Sequence, residues 1–112
     1  MVKLREKQIL AIVKKPGKAP DVEPLFTNSL AAFQDAVGGR IETLTLFADL
    51  VIVCNADARV LGLAENVKIF GVSIAGPVVA VGAKGDRFVS LKASNVPEVL
   101  KMLGGRADGT TV

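Results

Sequence analysis

The sequence predicts one α+β domain over residues 1–105, a small, mostly antiparallel sheet of about five to seven strands with two helices, at residues 28–37 and 95–103. Three observations predict it. Short runs rich in Val, Ile and Thr recur between Gly, Pro, Asn and Asp turn signals, the pattern of successive antiparallel strands. Two segments space their apolar residues at helical intervals, and each ends in Gly-Gly. A chain of 112 residues buries one core but not two.

The elements follow in order. Residues 1–7 are a basic lead-in. Gln8 to Val13 is an apolar, β-rich run closed by Lys14, Lys15 and the turn signal PGKAP, after which Asp21 to Phe26 can return as the second arm of a hairpin. Thr27 or Asn28 offers an N-cap for NSLAAFQDAV, where Leu30, Phe33 and Val37 share one face and Gly38-Gly39 supplies the stop. In the next strand Ile41, Thr43 and Thr45 alternate with Glu42, Leu44 and Leu46, whereas Leu50 to Cys54 is apolar throughout and reads as a more buried strand. NADAR turns the chain toward Val60 to Leu63. Lys68 to Ile74 and Pro77 to Gly82 continue the β character, AKGD makes a tight turn, and Arg87 to Leu91 pairs back. Ser94 or Asn95 begins the last helix, with Pro97 in its first turn and Val96, Val99, Leu100 and Leu103 on its apolar face. Residues 106–112, RADGTTV, have nothing to bury and are expected to be a mobile tail. The echo of VGGR and LGGR reflects two glycine helix stops, since the flanking segments do not match.

Composition narrows the function. Half the residues are hydrophobic and the mean hydropathy is +0.44, more apolar surface than so small a domain can hide, which predicts a homo-oligomer. The apolar runs fall far short of the roughly 20 residues that span a bilayer, and the N-terminus lacks a signal-peptide core, so no membrane partner and a cytoplasmic location are expected. One cysteine and no histidine, tryptophan or tyrosine remove any internal disulfide, any cysteine cluster, the commonest general base and the commonest metal ligand. No catalytic residue, metal site or cofactor is therefore assigned. Positive charge gathers at Lys3, Arg5, Lys7, Lys14, Lys15 and Lys18, against Glu6 alone, while the rest of the chain is slightly acidic. Such a cluster serves either as a solvated terminus or as a weak, salt-sensitive contact to nucleic acid.

FGVSIAGPVVAVG, residues 70–82, imitates two motifs. A Gly-x-Ser-x-Gly elbow needs a following helix and a histidine, and here valines follow and histidine is absent, so Ser73 is an ordinary strand residue. A phosphate loop needs Gly-Lys-Ser/Thr, where this chain has Gly76-Pro77-Val78. Cys54, inside VIVCN, reads as a buried structural thiol, and the five phenylalanines lie mostly in apolar stretches that the core will claim. GAKGDR, residues 82–87, reads first as a hairpin turn and second as an anion site in which glycines free backbone N–H groups beside Lys84 and Arg87. Arg40, which also follows a glycine turn, completes the set of candidate anion-binding residues.

The succession AFQDAVGGRIE (32–42), VIVCNADARVLGLAEN (51–66) and IAGPVVAVG (74–82) resembles the domain-of-unknown-function 3846 family of short bacterial, phage and mobile-element proteins. The resemblance implies a hairpin-rich α+β domain and supplies no catalytic residues. With the excess apolar surface it points to a non-catalytic small binding protein that sequesters a host protein or a small anionic, nucleotide-like ligand to counter host defence. The alternative is a nucleic-acid-binding accessory protein that uses its basic N-terminus.

Overall fold

The structure is a computed structural model and describes residues 7–104. The chain forms β1 (Gln8–Lys14), β2 (Asp21–Thr27), α1 (Leu30–Val37), β3 (Ile41–Phe47), β4 (Leu50–Asn55), β5 (Glu65–Ile69), β6 (Val72–Ala75), β7 (Val78–Lys84), β8 (Arg87–Val89) and, after one short turn of 3-10 helix, α2 (Val96–Met102). The main sheet has the order β2-β1-β7-β4-β3, with β8 pairing the far half of β7, and β5 and β6 form a separate two-stranded sheet. Every pairing is antiparallel. The α+β reading of the sequence holds.

The reason β4 and β7 are apolar up to their last residues, Asn55 and Lys84, is that both faces of the sheet are covered. Ile9, Ala11, Val51, Val53, Val79 and Val81 pack on Phe33 and Val37 of α1. Ile12, Ile52, Val78 and Ala80 point the other way, against Val99 of α2, Leu103 just after it, and Ile69 and Ile74 of the small sheet. The two helices thus lie on opposite faces. Phe33 sits at the centre of its layer, its ring centroid 5.0 Å from that of Phe26 and 4.9 Å from that of Phe88. Burial of each such side chain contributes about 1.5–3 kcal/mol.

Local chemistry fixes the element ends. Ser29, not Thr27 or Asn28, caps α1: its hydroxyl accepts the N–H of Ala32 at 3.1 Å. Asn28 instead bonds the Phe88 carbonyl at 3.1 Å, tying α1 to β8. Gly38 ends α1 at φ +84°, where a left-handed residue is required. The second helix begins at Val96, after Ala93–Asn95, and Asn95 makes no side-chain cap. The turn begun in NADAR runs on through Val60 to Gly62. The run Lys68 to Ile74 is not continuous: Phe70 and Gly71, at φ +49° and +81°, fold it into a two-residue hairpin with Ile69 opposite Val72. The mobile tail expected at 106–112 lies outside the described residues.

Candidate functional site

The two edges of the main sheet differ. On the β2 edge Asp21, Glu23 and Pro24 interrupt any further pairing, and a register shift between Ile9 and Ala11 twists the ladder. The β3 edge, IETLTLF, carries a single charge, Glu42. The N–H of Ala56 donates to the carbonyl of Arg40 at 2.8 Å, and the register continues Glu42 to Cys54 and Leu44 to Ile52. Alternation therefore turns the backbone groups of Ile41, Thr43 and Thr45 to the open side.

Beside this edge lies a cleft of about 230 Å³. Glu42, Thr43 and Leu44 of β3 form one wall and Val72 to Ala75 of β6 the other, with Cys54 and Asn55 between them and residues 56–60 closing one end. Strand β6 pairs with β5 alone, and Arg59 reaches across to the Ser73 carbonyl at 3.0 Å. Two strand edges thus border one groove.

The closed end is organised by Asn55. Its side chain is buried, donates to the Val37 carbonyl at the end of α1 at 3.0 Å and accepts the N–H of Asp57 at 2.7 Å. Asp57 then holds Arg40 in a two-point ion pair, Nε to Oδ2 at 3.0 Å and Nη2 to Oδ1 at 2.7 Å. The hydrogen bonds from Arg40 hold the Asp57 carboxyl below the usual aspartate range. Arg59 is paired with Glu65. Both arginines at the cleft are thus neutralised by acids of the same chain, which leaves Glu42 as its spare charge. The thiol of Cys54 donates to the Glu42 carbonyl at 3.6 Å, and burial, helped by the Glu42 charge, pushes it above the ordinary thiol value. At neutral pH it is a thiol and not a thiolate.

Beyond the cleft lining, at the end of β3 and in the turn between β5 and β6, are two aromatic rings. Phe70 is 68% exposed and Phe47 53%, and the rings meet edge to face with centroids 6.2 Å apart. Only three of the five phenylalanines are therefore in the core; these two, with Val60 and Val72, leave apolar surface in water. An aromatic residue at positive φ is uncommon and costs about 1 kcal/mol or more.

The matching family model, described as Domain of unknown function (DUF3846), covers residues 8–104. This chain belongs to the DUF3846 family. No curated protein and no solved structure matches it.

In this DUF3846 chain the three cations singled out from sequence do not converge. Lys84 and Arg87 are cross-strand neighbours at the β7–β8 turn, with Gly85 at φ +64° between them, both exposed and without an ion pair among the described residues. Arg40 is at the opposite end of the sheet, on Asp57. What sequence reading missed is the pair Phe47 and Phe70. The signal was present in Phe70-Gly71 between two β-rich runs, a turn whose glycine is the usual second residue but whose phenylalanine is not the usual first. Among the described residues no group of three His, Cys, Asp or Glu could hold a metal ion, and no helix is long and apolar enough to cross a membrane.

Proposed function

We propose that this DUF3846 protein is a non-catalytic binding protein that takes an extended segment of a partner protein into the cleft between β3 and β6. The observation that carries the reading is Phe70, held at positive φ with its ring in water beside Phe47, where a glycine or asparagine would fold more easily. Strain kept at an exposed aromatic is the mark of a contact made with something else. The open edge of β3 supplies the backbone donors and acceptors that β-strand addition uses. The apolar rings give the added strand an anchor, and Glu42 favours a segment that brings a basic side chain. A thiol kept protonated and a chain without histidine support binding over catalysis. Sequestration of a host protein in the cytoplasm, on behalf of a phage or mobile element, is the cellular role that goes with this proposal.

Panning a displayed random-peptide library against the protein tests it. Extended peptides with a basic residue should be enriched, and Thr43→Pro, which removes an outward N–H, or Phe70→Asn should release them. Peptides indifferent to both substitutions, or no enrichment, would overturn the reading. Light scattering of the same samples separates a third outcome, a second copy pairing β3 to β3, which would make the partner this chain itself.

A further inference from the structure

Away from the cleft, on the α2 side of the sheet, Lys14 ends β1 as a buried residue, 8% exposed. Its ammonium donates to the Lys15 carbonyl at 3.0 Å and to Asn66 Oδ1 at 2.9 Å. Both acceptors are neutral, and among the described residues no carboxylate pairs with it. An ammonium has three N–H donors, so one remains. Lys14 lines a recess of about 550 Å³ whose rim includes Lys18 and Lys68 and, among the described residues, no acid. The tight turn that presents Lys18 is closed by its N–H on the Lys15 carbonyl at 3.1 Å, with Gly17 at φ +75°.

A buried, unpaired charge is expensive, and an apolar side chain of the same length would fill the site without that cost. Burial accordingly lowers the Lys14 pKa. The charge is kept where an anion can offset it. We infer that this recess binds the terminal phosphate of a small phosphate monoester, with the Lys14 ammonium at its base and Lys18 and Lys68 at its rim. The carbonyl end of α2 also reaches the recess, at Leu103 and Gly104. A seven-residue helix carries about half a negative charge there, which three ammonium groups outweigh. A terminal phosphate can reach a group this deep and brings two charges. A bridging phosphodiester of nucleic acid brings one and is held out by its two ester arms.

The inference does not depend on the β3 cleft, and its test leaves that cleft untouched. Titration calorimetry with inorganic phosphate and with AMP reads the affinity, and single-stranded DNA serves as the comparison. Both phosphates should bind, and Lys14→Met should weaken them by roughly tenfold or more, the worth of one charge-assisted hydrogen bond. Methionine preserves the volume, and Lys18→Ala, at an exposed position, gives a second variant whose folding is not in question. It should weaken binding by a smaller factor, while Lys84→Ala at the far turn should leave it unchanged. No binding of either phosphate, equal binding by Lys14→Met, or DNA bound as tightly as AMP would overturn the assignment.

Discussion

Lys14 and Asn66 hold each other at both ends: the Lys14 ammonium donates to Asn66 Oδ1 at 2.9 Å, and Asn66 Nδ2 donates to the Lys14 carbonyl at 2.8 Å. The same Nδ2 group also donates to the Gly76 carbonyl at 2.8 Å. One amide thereby ties β1 to β5 and to the bend that leads into β7.

Asn66→Ala removes all three bonds and leaves two carbonyls and an ammonium short of partners. The expected loss is about 2 kcal/mol or more, because stranded polar groups cost more than an average bond is worth. Urea denaturation with an unchanged m-value checks it.

Phe70→Asn is expected to separate stability from binding. Asparagine accepts positive φ, so about 1 kcal/mol of strain is relieved, against about 0.5 kcal/mol for a ring pair that lies mostly in water. Thermal unfolding should show the variant equal to or slightly above the parent. The same variant should no longer hold peptide. A clear fall in stability would show that the aromatic pair is structural.

Gly82→Ala should be far worse than Gly17→Ala. A Cβ at Gly82 would stand 2.3 Å from the Ser90 carbonyl oxygen, which is backbone and cannot rotate aside, whereas nothing lies within 4 Å at Gly17. The expected costs are about 3 kcal/mol for the clash and about 1–2 kcal/mol for the left-handed conformation at Gly17. Equilibrium unfolding of the two variants decides the ranking.

Stability should fall in acid, with a definite sign. Hydrogen bonds and charge from Arg40 and Lys92 hold the folded Asp57 and Asp49 carboxyls below their ordinary value. Each therefore contributes stability that is complete above the unfolded aspartate value and is lost as pH falls through the lower folded value, a window below about pH 4. Arg40→Ala should flatten the Asp57 share of that acid slope. Denaturation series on both proteins would show it, and identical slopes would refute it.

Much of the fold was legible because it is local. PGKAP sets the first hairpin, Gly38-Gly39 stops α1, and the unbroken apolar run Leu50 to Cys54 announced a strand buried on both faces. The sequence could not place the helices, because Val99 and Leu103 pattern alike whichever face receives them. It could not show that Lys68 to Ile74 turns back on itself, since phenylalanine is a strand former and only its backbone angle makes it a turn residue. The cationic recess was hidden for a similar reason. Lys14 looks like the polar end of a strand until Asn66, 52 residues away, is seen to bury it.

The central place of β7 has a consequence for how the chain reaches its native state. Strands β1 and β2, and β3 and β4, pair as hairpins between near neighbours, but the two hairpins are joined only by β7, where Ala80 stands opposite both Ile12 and Ile52. The joining strand begins at Val78, after more than half of the chain has been made. Loops this long close slowly, so assembly should be limited by β7 docking between two preformed ribbons. A nascent chain halted before Val78 should hold those two ribbons without a cooperative transition, their apolar faces open to the chaperones that meet it.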